Sequence, residues 1–401
     1  MIGSPQSRSG KGGHGRKGAI TRVVRALVQR AALPPQATPS GPLLPSTQPL
    51  RLRNTSLTLL PVATPGRRQL RLRPRRDTSM TDLDISSTTS SADEADRIAR
   101  TALTLLTEPC HPTLWSMTQQ DGAQATLDRL LTGDIPDAKL RTAVTVATRR
   151  GDVRRLAHAV WRHAQRLGAR LVVPGDSEWP GQINDLTQLK PAAERPTAIN
   201  TAPPLCLWVR GERLLSEAFS QSVAIVGARS ATAYGLQVSA DVASGLAARG
   251  WSIVSGGAFG VEAAAHRGAL AARGLTISVL ACGIDRPFPV GNSAMFDRII
   301  ADGLLVSPWP LGAEPLRHRF AIRNRLLATA AGTVLVEAAA RSGAVQTVSR
   351  ALDLGRAAMV VPGPVTSALS TGCHHFLRAH AGARVVTSAA DVITELSRTS
   401  R

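Results

Sequence analysis

No stretch of this chain reaches the roughly 18 apolar residues that a bilayer-spanning helix requires. Nor does the N-terminus carry an apolar segment ending in a small-residue cleavage site. Both absences argue against a membrane partner and against secretion, and a cytoplasmic location is expected. Cysteine is sparse: Cys110, Cys206, Cys282 and Cys373 lie scattered without CxxC spacing, which argues against a disulfide framework and a structural zinc site. No HExxH pair, Walker lysine, paired catalytic carboxylates or Ser/His/Asp order can be assembled. Neither a catalytic residue nor a cofactor is therefore expected. The G-x-G-x-x-G fingerprint is also missing, and no acid follows the second strand of the α/β part to hold a ribose, so dinucleotide binding is disfavoured. Lysine is rare as well, with Lys11, Lys17, Lys139 and Lys190 the only four among 48 basic residues. The arginine excess follows GC-rich coding as readily as it follows selection for phosphate.

What is present divides the chain. The formal charge of +20 resides mostly in residues 1-79, where fifteen Lys or Arg and one acid give +14 and leave +6 for the rest. That segment is rich in Pro, Ser, Thr and Arg and has no core-forming pattern, so residues 1-91 read as disordered. Two readings of it stay open: a basic arm that binds nucleic acid or directs targeting, or the product of a wrongly assigned start codon with Met80 as the true start. Residues 92-168 turn helical in period, with Ile98, Ala102, Leu105 and Leu106 on one stripe and Leu156, Val160, Ala164 and Leu167 on another. A small helical domain is expected, with Trp115 and Trp161 packed in its core.

From residue 169 to 395 the pattern is α/β, with 396-401 a tail. Strands are expected at 223-226, 252-254, 276-280, 304-306, 333-336 and 357-361, and helices near 235-248, 261-272, 292-301, 323-331 and 343-354. Short Val/Ile/Leu runs alternating with helices of this length signal a parallel sheet with helices on both faces. In such a sheet the ligand crevice lies beyond the carboxyl ends of the strands. At those ends stand Gly227-Ala228-Arg229-Ser230, Ser255-Gly256-Gly257-Ala258-Phe259-Gly260, and Arg323-Asn324-Arg325 beside Arg317 and Arg319. Ser342-Gly343 follows the next strand. Glycines there permit close backbone approach, guanidinium groups grip two phosphate oxygens at once, and hydroxyls at a helix start either cap it or bind phosphate. Phe259 suits stacking on a base or a lid contact. Glu262 and His266, four apart on a helix, read as a hydrogen-bonded pair, and Cys373-His374-His375 as a turn in preference to a zinc site.

The order and spacing of these motifs resemble the DNA-processing protein A family (DprA or Smf) over most of residues 95-395. The matching run is Val226-Gly227-Ala228-Arg229 with Tyr234-Gly235, Ser255-Gly256 with Gly260 and His266, and Gly283-Ile284-Asp285 with Pro289 and Asn292. It continues through Phe320 with Arg323-Asn324-Arg325, Glu337-Ala338, Ser342-Gly343, Pro362-Gly363 and Gly372-Cys373-His374-His375. The resemblance implies an extended Rossmann-like fold that binds single-stranded DNA and loads the RecA recombinase onto it during natural transformation and recombination, typically as a homodimer and without catalysis. By carry-over, Gly227, Arg229, Ser230, Ser255, Gly256, Gly257, Gly260, Arg319, Arg323, Asn324, Arg325, Ser342 and Gly343 would contact the DNA. Three positions depart from the family pattern: Val290 stands where many relatives are basic, Glu262 where Asp is usual, and Pro308 where Glu is usual. The winged helix that some members add at the C-terminus is not expected. The competing reading is a nucleotide phosphoribohydrolase-like enzyme, disfavoured because the segment Arg341 to Thr347 lacks the glycine pair and downstream acid of that class.

Overall fold

The computed structural model describes residues 91–189 and 201–399. The expectations for residues 1–90 lie outside them. Nine strands form one sheet in the order β1-β2-β6-β5-β4-β3-β7-β8-β9. Strands β3 (Ser222–Val226), β4 (Ser252–Ser255), β5 (Thr276–Val279) and β6 (Leu304–Ser307) pair in parallel toward one edge. Toward the other run β7 (Gly332–Leu335), β8 (Ala357–Val360) and the two-residue β9 (Arg384–Val385), also parallel. Beyond β6, β2 (Leu207–Arg210) and β1 (Ala169–Val172) extend the sheet with antiparallel pairings. The chain thus winds outward from β3 in one direction, then crosses back to β7 and winds outward in the other. The point of reversal, between the carboxyl ends of β3 and β7, is where an open α/β sheet leaves a crevice.

The strands form where they do because both of their faces are buried. Along β3 the side chains alternate, Val223 and Ile225 facing one apolar layer and Ala224 and Val226 the other, as period 2 requires. The first layer is closed by α6 (Ala233–Ala247), α7 (Val261–Ala271) and α12 (Ala389–Thr399) through Val242, Leu246, Ala265 and Leu396. On the opposite face, α9 (Arg317–Leu327), α10 (Gly343–Asp353) and α11 (Thr371–Ala379) contribute Leu326, Leu327, Val348 and Phe376. Each fully buried aliphatic side chain contributes about 1.5–3 kcal/mol. The α8 helix (Ser293–Asp302) packs Met295, Phe296 and Ile299 against Trp208, Leu280 and Leu305.

Before the sheet come α1 (Ser91–Leu106), α2 (Pro112–Thr132), α3 (Ala138–Thr148) and α4 (Val153–Arg166), while a short α5 (Leu215–Ser220) follows β2. The first four share an apolar cluster around Leu103, Leu114, Leu127 and Leu140, and α4 joins the sheet by burying Ala164 beside Leu171 and Trp208. Polar ties reinforce the junction. Arg97 donates to the Leu171 carbonyl at 2.6 Å and to Asp176, and Arg100 donates to the Leu205 carbonyl. Three boundaries differ from expectation. The α9 helix starts at Arg317, six residues early, with its arginines on the helix and not ahead of it. Cys373-His374-His375 lies within α11, because the bare Gly372 lets that helix sit against the carbonyls of Ala338 and Ala339. The last helix runs to Thr399, into the expected tail. No helix among the described residues is long and apolar enough to cross a membrane.

Candidate nucleic-acid interface

At the reversal point lies an open cavity of about 590 Å³, lined among others by Gly227, Arg229, Ser230, Phe320, Asn324, Ser342 and Gly343. It brings together the turn after β3, the first half of α9 and the start of α10. Arg317, Arg323 and Arg341 also line it, and no Asp or Glu does. Among the described residues no carboxylate pairs with Arg229, Arg317 or Arg341. The Arg229 guanidinium sits 4.9 Å from the centroid of the Phe320 ring, a cation–π contact that holds it over the cavity without neutralising it.

The turn carrying Arg229 is held from three sides. Ala228 N donates to the Glu337 carbonyl at 2.7 Å, and Val261 N donates to the Ala228 carbonyl. The Glu337 carboxylate accepts from the backbone N and the hydroxyl of Thr232. Thr232 in turn caps α6 by accepting from Gly235 N, so the positive end of α6 is already answered by Glu337. The α10 N-terminus is different: Ser342 caps it through Ala344 N, and Gly343, Ala344 and Gln346 still face the cavity. An anion in the cavity would meet that helix end.

Other expected contacts lie elsewhere, for physical reasons. Ser255 is fully buried, its hydroxyl donating to the Ile225 carbonyl. The glycines of its turn are closely approached by protein side chains. A Cβ on Gly256 would fall 1.3 Å from Arg323 Nη1, and one on Gly257 would fall 2.4 Å from the Phe296 ring. Gly260, at φ +75°, lies under the carbonyls of Ala228 and Arg229 and so shapes the Arg229 turn from below.

Helical spacing divides the four arginines of α9. Arg317 reaches the cavity. Arg319 turns away from it, its Nε and Nη2 donating to Glu108, just past the end of α1, and its Nη1 to the Glu314 carbonyl. Burial alone would raise the Glu108 pKa, but hydrogen bonds from Arg319 and Trp309 hold its carboxyl below the usual range. Arg325 is buried beside Cys110. Arg323 is only 2% exposed. Its Nη1 donates to the Val279 carbonyl at 2.8 Å, its Nε donates to Asn324 Oδ1 at 3.1 Å, and Glu262 lies 3.7 Å away. It touches the cavity wall mainly by orienting Asn324, whose Nδ2 faces the Gly343 carbonyl at 3.4 Å.

Glu262 and His266 are not a bonded pair. Glu262 accepts from Ala258 N at 3.0 Å, while His266 Nδ1 lies 2.7 Å from Thr276 Oγ1. That hydroxyl donates to the Ile253 carbonyl, so Nδ1 must carry the imidazole proton and Nε2, which has no partner, is bare. Burial, with Arg323 adding to it, pushes the His266 pKa down to about 3. An unfolded chain, titrating near 6.5, takes up the proton first. The contribution is complete above about pH 6.5 and is lost as pH falls toward 3, amounting to roughly 2 kcal/mol lost by about pH 5. Urea denaturation at neutral and acid pH should show a shallower acid loss for His266→Gln than for the natural chain. Parallel losses would refute this protonation scheme.

Burial pushes the Cys110 and Cys206 thiols up to about 12 and those of Cys282 and Cys373 to about 11, which keeps all four protonated and unreactive. No group of three or more His, Cys, Asp or Glu among the described residues is placed to hold a metal. Sequence reasoning did not single out Arg341 as a contact, although its place just before Ser342-Gly343 at a strand end was the available signal. Nor did it give Glu337 and Glu108 their positioning roles, which depend on partners 105 and 211 residues away.

A family model described as DNA recombination-mediator protein A matches residues 170–397. A DNA processing protein DprA from Mycobacterium tuberculosis is 48% identical over 229 residues, 57% of this chain and 58% of that relative's length. A DNA processing protein DprA from Streptococcus pneumoniae is 39% identical over 174 residues, 43% of this chain and 61% of the relative. The chain thus matches about three fifths of the length of either. The X-ray structure of DNA processing protein A from Streptococcus pneumoniae superposes with a TM-score of 0.58 and 26% identity, over 75% of this chain and 97% of that one.

Proposed function

Because the chain belongs to the DNA recombination-mediator protein A family, we propose that its rim crevice binds the sugar-phosphate backbone of single-stranded DNA and that the bound strand is passed to RecA. The observation that carries this reading is the acid-free cavity ringed by Arg229, Arg317 and Arg341 at the reversal point of the sheet. An exposed arginine without a carboxylate keeps its donors for a phosphate, and the α10 N-terminus adds a partial positive charge at the same spot. Phe320 supplies a ring face beside them, and a base stacks on such a face whatever its identity. Backbone contacts carry no base code, so binding tolerates sequence changes. The protein acts in the cytosol as a homodimer and consumes no nucleotide in doing so.

Arg229→Ala and Arg341→Ala should each weaken binding, by about 1.5 kcal/mol at these exposed positions, while leaving the thermal midpoint unchanged. Each should also reduce the slope of log affinity against log salt by roughly 0.7. Fluorescence anisotropy with single- and double-stranded DNA across a salt series reads both. Unchanged affinity and slope in both variants would refute the site. The hand-over to RecA is tested separately: the protein should speed RecA filament formation on strands coated with single-strand-binding protein. Binding without acceleration would leave the DNA site standing and remove the loading role.

A further inference from the structure

The chain has only six phenylalanines, and their distribution is uneven. Phe219, Phe296 and Phe376 are buried. The other three lie together on the rim. Phe320 lines the crevice, Phe288 meets it edge-on with ring centroids 6.2 Å apart, and Phe259 packs over Gly291 just beyond. Phe259 is 49% exposed and Phe288 41%. Leaving two such rings in water is unfavourable unless something covers them.

On the far side of this ridge a second groove begins. Its first part, about 350 Å³, runs between α7 and α8 and is lined by Arg267, Gly291, Asn292 and Arg298. Its second part, about 570 Å³, shares Leu270 and Arg298 with the first and continues past Arg273 to Arg213. No carboxylate among the described residues pairs with Arg213, Arg267 or Arg273. Arg298 meets Asp302 at 3.3 Å, but both side chains are more than half exposed, so the pair is weak and readily exchanged for a phosphate. Glu212 and Asp302 are the groove's acids, and they are outnumbered by the arginines. The eleven residues of α7 make this track roughly 16 Å long. A basic groove, an exposed aromatic ridge and a second basic groove in series are the parts that hold a single strand, by phosphate on either side and by stacked bases in between.

We propose that single-stranded DNA leaving the crevice crosses Phe288 and Phe259 and continues along the α7–α8 groove, its phosphates held by Arg267, Arg273 and Arg298. The proposal rests on the DNA-binding reading of the crevice and extends it to a second, separable contact. Its test compares oligothymidylates of roughly 6 and roughly 20 nucleotides on three proteins: the natural chain, Arg267→Glu/Arg273→Glu, and the charge-matched Arg149→Glu/Arg150→Glu, whose exposed arginines lie at the end of α3. The short strand should bind all three alike. On the long strand the groove variant should bind about tenfold more weakly than the charge-matched control, with a salt slope smaller by about 1.4. Phe259→Ala should reduce the gain from length in the same direction. Equal losses in the groove variant and the control, or a groove variant that keeps the full gain, would overturn the groove while sparing the crevice. If the natural chain bound neither strand, the crevice reading itself would fail, and the groove with it.

Discussion

Replacing Arg323 with alanine should cost about 3–5 kcal/mol of folding stability, because it removes one member of a buried charge pair and strands its partner. The family resemblance alone casts Arg323 as a DNA contact. The structure gives it a task within the fold as well, since its guanidinium lies over Gly256, ties the end of β5 to α9 through the Val279 carbonyl, and orients Asn324. Glu262 would be left facing a void. Arg323→Lys should recover only part of the loss, because an ammonium cannot reach Val279, Asn324 and Glu262 in the geometry of a planar fork. Urea denaturation measures the effect directly. A midpoint equal to that of the natural chain in the alanine variant would show that this buried network contributes nothing.

Gly260→Ala should be comparably damaging to the fold and worse for binding. At φ +75° and ψ −130° the backbone occupies a region essentially confined to glycine, at a cost of about 1–3 kcal/mol for any other residue. The added Cβ would also fall 2.3 Å from the Ala228 carbonyl oxygen and 2.4 Å from that of Arg229. Both are backbone atoms that cannot swing aside, so the Arg229 turn must move. At a temperature where the variant is still folded, single-stranded DNA should bind at least about tenfold more weakly. Gly355→Ala is the control: φ is also positive, at +67°, but nothing lies within 4 Å of the added Cβ. It should lose only about 1–2 kcal/mol and bind as before. If Gly260→Ala matched that control in both measurements, the interlock between the two turns would be discounted.

Much of the fold was legible in the sequence, because strands such as Val223 to Val226 and Val334 to Leu335 are buried on both faces and leave an unbroken apolar run. The start of α9 was not. Arg317-His318-Arg319 has no apolar stripe, and the helix there is held by Glu108, just past the end of α1 and 211 residues away in sequence. The crevice was legible as a place, since the ends of β3 and β7 were both marked by glycine and arginine. Which of the marked residues face it was not. Gly256 and Ser255 look like ligand-binding residues until Arg323 and Ile225 are seen to occupy them, and a side chain that arrives from 67 residues downstream leaves no local trace. Arg319 and Arg323 stand one turn of helix apart, yet Arg319 is tied to Glu108 and Arg323 to the Val279 carbonyl and Glu262.

The Arg229 turn is assembled almost wholly from distant parts of the chain. Its register is set by the pairing of β3 with β7 and by the backbone bond from Ala228 to Glu337, and its flank by the Glu337 carboxylate on Thr232. At translation rates of roughly 5–20 residues per second, the interval between Arg229 and Glu337 leaving the ribosome is on the order of 5–20 s. Throughout that time the Arg229 turn has Val261 and Gly260 beside it but lacks the ties from Glu337. The finished crevice therefore exists only once the second half of the sheet has docked, so a half-made chain does not present it.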